Sequence, residues 1–330
     1  MFVFVVLILL AVIIVKVACK LTAGRCKSNV CLVGKTALIT GGNSGIGYQT
    51  ALALAGRGCR VIIADKDNCD ESKENIIKAT GNSNLVVKTF DLASLDSVRE
   101  LAKDINATEE RLDILINNAG TSGLGHNITK DGLHLGMQVN HFGGFLLTHL
   151  LVDLLKKSAP SRIIFVSSIG AFIHKLTLKN LNLSEEQSKE SMSQLSIYAN
   201  SKLCNILTSD GFAEKLKGTG VTSNSLHPGV VYTPIYRKHF SGVEFNDILN
   251  FLCYGVVKYG ALKFFAKDAE EGAQTTIYLA LSKTIKDVTG KYFIDCKPFM
   301  KPPAAYNKPF AEKIWKASED YVKLATKEKL

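Results

Sequence analysis

The stretch from Thr36 to Gly58 constrains the chain more than any other, because it reads as an apolar strand, a glycine-rich turn and a helix in immediate succession. The strand Thr36-Ala37-Leu38-Ile39 enters Thr40-Gly41-Gly42-Asn43-Ser44-Gly45-Ile46-Gly47, and an Ala/Leu-rich helix continues to Arg57 before Gly58 stops it. Lacking a Cβ, Gly41 can take φ values closed to other residues, Gly45 lets backbone approach a pyrophosphate, and Gly47 lets the helix pack against the strand. Asn43, Ser44 and Ile46 complete the turn, and the helix N-terminus beyond offers free N–H groups and positive dipole to an anion. A purely structural turn gives the same local pattern. The flanking strand and helix favour a dinucleotide, as does an acid about twenty residues on.

That acid is Asp65, closing the second strand Arg60-Val61-Ile62-Ile63-Ala64. Its carboxylate suits the two ribose hydroxyls of adenosine and would repel a 2′-phosphate.

A length of 330 residues fits one α/β domain of about 250–300 residues with extensions. A hydrophobic content of 46% and only 7 prolines exclude a disordered chain. The formal charge of +10 comes from scattered lysines without a nucleic-acid motif, which leaves an anionic membrane surface or a plain solvated face. The eight cysteines form no CxxC pair and have no companion histidines at zinc-ligand spacing, so they are expected as free thiols, with no metal site. Cys59 and Cys204 read as small buried hydrophobes.

Residues 2–15 form an uninterrupted apolar run, followed by Lys16, Lys20, Arg25, Lys27 and Lys35. This is a membrane segment or a cleaved signal peptide. Positive charges that follow the run favour an anchor, with the body of the protein on the cytoplasmic side. With Lys16 snorkelling the span reaches about 18 residues, the lower limit for a bilayer. The expected division is an anchor over 1–19, a basic linker over 20–33, a dinucleotide-binding catalytic domain over 34–300 and a helical extension over 301–330.

Further strands deliver polar groups to one end of the expected sheet. The third, over 85–90, ends at Asp91-Leu92, where Asp91 either contacts an adenine edge or caps the helix beginning near Asp96. The fourth, over 112–116, runs into Asn117-Asn118-Ala119-Gly120, small residues that permit close approach of a cofactor. A long helix over 131–157 carries Asn140 near its middle. Asn is unfavourable there, so it is either tolerated on an exposed face or holds the backbone open at a site. His141 and His149 read as packing residues. The fifth strand, over 162–166, delivers Ser167-Ser168, and the strand over 221–226 delivers His227-Pro228-Gly229-Val230-Val231-Tyr232-Thr233.

Tyr198 and Lys202 are four residues apart and share a helix face. A phenol is a poor base at neutral pH, but a neighbouring ammonium and a positive nicotinamide favour the phenolate, which can then exchange a proton with an alcohol or carbonyl. Ser168 is placed to bond the substrate oxygen, Lys202 the nicotinamide ribose and Thr233 the carboxamide.

In order along the chain, Thr-Gly-Gly-Asn-Ser-Gly-Ile-Gly, Asn-Asn-Ala-Gly, Asn140, Ser168, Tyr198, Lys202 and Pro-Gly-Val-Val-Tyr-Thr resemble the short-chain dehydrogenase/reductase superfamily over residues 34–325. Three further features are similar to its membrane-anchored retinol-dehydrogenase-like group: the N-terminal run, the long insert between Ser168 and Tyr198, and Gly290-Lys291-Tyr292-Phe293-Ile294-Asp295-Cys296-Lys297 before a helix holding Trp315. The resemblance implies a doubly wound parallel sheet of about seven strands in one domain. It also implies catalytic roles for Asn140, Ser168, Tyr198 and Lys202, and hydride transfer between a nicotinamide cofactor and retinol or retinal. Isoprenoid, steroid or fatty alcohols are the alternative substrates, and a non-catalytic membrane-tethered scaffold is the alternative function.

The chain departs from the group at the end of the second strand. Retinal reductases of the group place an uncharged residue and then Arg there, which suits NADP, whereas this chain has Asp65 and then Lys66. Repulsion by the carboxylate favours NAD, with NADP as the alternative. Residues 235–267 are apolar with interspersed lysines and read either as an amphipathic helix on the membrane or as a substrate lid. The expected setting is the endoplasmic reticulum membrane, and a homo-oligomer is compatible with the sequence.

Overall fold

The computed structural model describes residues 16–17, 20, 23–232, 264 and 266–330. The central strands form where runs of apolar, mostly β-branched residues are buried on both faces. The strands of the sheet are β1 (Thr36–Thr40), β2 (Arg60–Asp65), β3 (Leu85–Thr89), β4 (Ile114–Asn117), β5 (Ser161–Val166), β6 (Val221–His227), β7 (Tyr292–Ile294) and β8 (Lys297–Phe299). The sheet order is β3-β2-β1-β4-β5-β6-β7-β8.

Seven strands are parallel, as expected, but the sheet has eight, and β8 pairs antiparallel with β7. The turn between them holds Asp295 and Cys296 at φ +50° and +61°. The eighth strand escapes a hydrophobic pattern because all three of its residues are exposed, and Pro298 is tolerated only at such an edge.

Helices cover both faces. On one side lie α1 (Gly45–Ala55), α2 (Asp70–Thr80) and α7 (Ala269–Leu281), whose apolar faces meet Ile39, Ile63, Ile116 and Phe293. On the other lie α3 (Leu95–Thr108), α4 (Gly143–Lys157), α6 (Gln194–Lys215) and α8 (Lys308–Tyr321), packed on Leu38, Ile62, Leu115 and Phe165. A short surface helix, α5 (Glu185–Ser191), precedes α6.

The helix expected over 131–157 is interrupted. Asp131 is committed elsewhere, its carboxylate accepting from the Leu95 N–H at 2.8 Å and from Gln138 Nε2 at 2.6 Å. One helical turn, Leu135–Met137, passes into a π-helical turn, Gln138–Phe142, before α4 begins at Gly143.

Residues 23–33 form a strap without helix or strand, laid along α7. The N–H of Gly24 donates to Asp295 Oδ1 at 3.2 Å, that of Cys26 to Gln274 Oε1 at 3.1 Å, and Ser28 Oγ to the Leu281 carbonyl at 3.4 Å. The strap therefore runs from the carboxyl end of the sheet to the amino end before entering β1. A Cβ on Gly24 would lie 2.1 Å from the Asp295 carbonyl oxygen, so only glycine allows this approach. The apolar run over 2–15 lies outside the described residues, and among these no helix is long and apolar enough to cross a membrane.

Trp315 of α8 packs edge-on against Phe145 and Phe212, with ring centroids 5.0 Å apart in each pair. Gly211 admits it, since a Cβ there would lie 2.4 Å from the indole. Gly211→Ala should therefore destabilise the fold by ~1–3 kcal/mol, because overpacking against a rigid, enclosed indole outweighs the gain in helix propensity. Trp315 is the only tryptophan, so a red-shifted emission and a lowered thermal midpoint are the expected readouts.

Candidate active site

The site forms at the carboxyl ends of the strands, where the order reverses between β1 and β4. Gly41 and Gly45 take φ +66° and +56°, conformations that favour glycine. The N-cap of α1 is Ser44, whose side chain makes no capping bond, and no acid occupies the first turn. The first N–H groups of α1 are thus left for an anionic ligand.

Gly47 serves differently from expectation. A Cβ there would lie 2.1 Å from the Gly41 carbonyl oxygen and 2.6 Å from Asn118 Nδ2, so it packs on the turn itself rather than on the strand. Asn118 clamps the turn, with Nδ2 donating to the carbonyls of Thr40 (2.9 Å) and Gly41 (3.1 Å). Thr40 Oγ1 in return accepts from the N–H groups of Asn118 and Ala119, each at 3.0 Å. The Asn-Asn-Ala-Gly segment therefore sets the shape of the glycine loop as well as leaving room beside it.

Asp65 sits against that loop. Its Oδ2 accepts from the Asn43 N–H and its Oδ1 from the Asp67 N–H, each at 3.3 Å, while the side chain of Lys66 is exposed and makes no ion pair among the described residues. Asp91 does not cap α3. Ser94 does, accepting from the Ser97 N–H, whereas Asp91 Oδ1 accepts from the Ala93 N–H at 2.9 Å and tightens the preceding turn. Leu92 is buried against Gly143.

The groups read as chemical converge. Ser168 lies two residues past the end of β5 and accepts from the Gly170 N–H at 3.0 Å, leaving its hydroxyl proton to donate. A Cβ on Gly170 would lie 3.4 Å from Ser168 Oγ and 3.5 Å from the Tyr198 ring, which places those two side chains side by side. Lys202 stands one turn further along α6, with Nζ 5.6 Å from the centre of the Tyr198 ring and donating to the Val166 carbonyl at 3.0 Å. Ser167, which the sequence does not single out, fixes that helix from below through a 2.6 Å bond to the Lys202 carbonyl.

Asn140 lies in the π-helical turn, and its amide makes three hydrogen bonds. Oδ1 accepts from the Thr121 N–H at 2.7 Å, and Nδ2 donates to the Thr121 carbonyl at 2.9 Å and to Ser201 Oγ at 3.0 Å. It ties the segment after β4 to α6. Gly120 lies between, where a Cβ would come within 3.0 Å of Lys202 Nζ.

A clasp that sequence reasoning missed holds the loop after β6. Lys267 pairs with Asp295 and reaches the Pro228 carbonyl at 3.4 Å, while its backbone bridges Val230 and Tyr232. No periodicity or motif marks it, because its partners come from three distant segments. Thr233 lies outside the described residues. His141 and His149 are packing residues: burial pushes their imidazoles down to about 3 and about 4, so both stay neutral. Among the described residues no cluster of side chains is able to hold a metal ion.

The glycine cradle, the uncapped helix and the Asp65 carboxylate fit a dinucleotide. The family model for short chain dehydrogenases matches residues 35–178. Retinol dehydrogenase 11 of Mus musculus is 39% identical over 94% of this chain and 93% of its own length, and retinol dehydrogenase 12 of Homo sapiens is 40% identical over 89% and 88%. This chain belongs to the short-chain dehydrogenase/reductase superfamily, in its retinol-dehydrogenase-like group. It is an NAD(P)-dependent oxidoreductase. A crystal structure of a Mycobacterium paratuberculosis protein superposes on the enzyme with TM-score 0.67, at 26% identity over 89% of this chain and 95% of its own. The NADP complex of RhlG from Pseudomonas aeruginosa gives TM-score 0.60, at 28% identity over 80% and 95%.

Burial pushes the Lys202 ammonium down from 10.5 to about 8. In the free enzyme the folded state therefore holds this proton less tightly than the unfolded chain. The cost of the buried charge is complete below about pH 8 and fades as pH rises toward 10.5, where the unfolded lysine also loses its proton. Lys202→Met should accordingly melt above the wild type at pH 7, with a gap that narrows above pH 8, while turnover is lost. Thermal melts across pH 7–10 check the sign.

Proposed function

We propose that the enzyme oxidises retinol or a closely similar lipophilic alcohol, using NAD, at a membrane surface with the catalytic domain on the cytoplasmic side. The names of its relatives support the substrate class. The carboxylate of Asp65 carries the cofactor choice. It faces the glycine loop through the Asn43 N–H, where a 2′-phosphate would lie, while Lys66 points to solvent. Carboxylate repulsion at that distance outweighs a solvated ammonium on a flexible stem. The apolar run over 2–15 supports the membrane setting, and the endoplasmic reticulum is the organelle proposed.

A nicotinamide dinucleotide held along this loop supplies hydride exchange. The protein's own work is proton transfer and orientation. Tyr198 takes the alcohol proton as its phenolate, or returns it to a carbonyl, and the Lys202 ammonium beside its ring favours the phenolate. The Ser168 hydroxyl donates to the substrate oxygen as negative charge builds there. Asn140 holds the segment after β4 in place around them, and Thr233 is proposed for the carboxamide. By the resemblance, Gly41, Asn43, Ser44, Gly45, Ile46, Gly47, Asp91, Leu92, Asn118, Ala119 and Gly120 complete the cofactor site.

RhlG, solved with NADP, supports the opposite cofactor. Turnover of all-trans-retinol by detergent-solubilised protein, with NAD and NADP supplied separately, separates the two. NAD should be preferred, and Asp65→Ser should raise kcat/KM with NADP by at least tenfold; a wild-type preference for NADP would overturn the proposed selector. Tyr198→Phe should lose turnover by roughly 10²–10⁴-fold with NAD affinity retained. Wild-type turnover in that variant would remove the assigned acid–base group.

A further inference from the structure

Between the strap and the β7–β8 hairpin lies a groove of about 640 Å³ that takes no part in the chemistry above. Arg25 and Lys27 line it from the strap, and Lys283 and Lys297 from the facing wall. All four side chains are exposed, and none makes an ion pair among the described residues. The carboxylate in the lining, Asp295, is already held by Lys267 and by the Gly24 N–H. Tyr278, Ser282 and Thr284 add hydroxyls, linked by bonds of 3.2 Å (Tyr278 to Thr284) and 2.8 Å (Ser282 to Thr284). Like charges gathered around a concavity, with hydroxyls in its lining, raise a local field that attracts an anion rich in oxygen.

The position of the groove selects the anion. Gly24 follows Val15, the end of the apolar run, by nine residues, so the groove lies within about 30 Å of that run even with the intervening chain fully extended. A chain anchored by that run keeps the groove within this reach of the phospholipid headgroups. We infer that this groove binds the headgroup of an anionic phospholipid, using Arg25, Lys27, Lys283 and Lys297 for its phosphate and carboxylate oxygens. The inference rests on the membrane setting proposed above. Occupation seats the strap, and with it the Gly24–Asp295–Lys267 clasp behind the loop after β6, against the bilayer.

The test uses the full chain in detergent micelles and reads retained lipid by native mass spectrometry, with phosphatidylserine, phosphatidylcholine and inorganic phosphate as separate arms. Each Lys or Arg near an anionic headgroup is worth roughly fivefold in affinity, so wild type should retain phosphatidylserine at least tenfold better than phosphatidylcholine. The variant R25Q/K27Q/K283Q/K297Q should lose that preference while keeping its melting temperature and its turnover in detergent, and R25K/K27R should keep the preference. Equal retention of the two lipids by wild type, or an undiminished preference in the quadruple variant, overturns the inference. Displacement of phosphatidylserine by millimolar phosphate overturns it in favour of a free-phosphate site. Alkaline extraction of membranes carrying the full chain separates the two levels. Release into the supernatant sinks the membrane setting itself, whereas retention without a phosphatidylserine preference sinks only the groove.

Discussion

A methyl group on Gly47 would come within 2.1 Å of the Gly41 carbonyl oxygen, and the site depends on the absence of that methyl. Without the close approach α1 could not start where it does, and its free N–H groups would not face the crevice between β1 and β4. The same carbonyl accepts from Asn118 Nδ2, so the turn is held from the neighbouring strand as well as from its own helix. A cofactor loop made of small residues would otherwise be floppy, since glycine has the most conformational freedom to lose. The clamp from Asn118 and Thr40 converts that freedom into one shape before any ligand arrives.

The groups proposed for catalysis are arranged against stability. Lys202 is buried beside Tyr198, and its lowered pKa shows that the charged form is held at a cost. An ammonium held in a poorly solvated position acts on a neighbouring group more strongly than one in water. The surrounding polar bonds, from Val166, Ser167, Thr121 and Ser201, keep Lys202 and its neighbours from relaxing into a better-solvated arrangement. Asn140 explains the π-helical turn in the same terms: widening the helix there turns its amide toward Thr121 and Ser201, where both amide hydrogens and the oxygen find partners.

The strap joins the two ends of the molecule. It leaves the carboxyl end of the sheet at Gly24, crosses α7 and enters β1 at the amino end, so Gly24 sits at the same end of the sheet as the groups proposed for catalysis. Asp295 Oδ1 accepts from both the strap, at the Gly24 N–H, and Lys267, and Lys267 in turn holds the Pro228 carbonyl. The N-terminal segment and the loop after β6 thus share one carboxylate.

What the sequence determined by itself was local or repeated. Apolar runs gave the parallel strands, the glycine spacing gave the turn and its helix, and an i, i+4 pair on α6 gave Tyr198 and Lys202, because each signal lies within a few residues of its cause. The Asp65 position was also legible, since strand length fixes where a side chain emerges at the sheet end. Only the tertiary structure decided what depended on distant partners. The edge strand β8 is exposed and carries proline, so no hydrophobic pattern announces it. Asp131 reads as a helix start until Leu95 and Gln138 are seen to occupy its carboxylate. Gly24, Gly211 and the Lys267–Asp295 clasp acquire their meaning from a carbonyl, an indole and a loop brought in from elsewhere in the chain. Packing and hydrogen bonding between remote segments have no period in the sequence, and that is why they had to be seen.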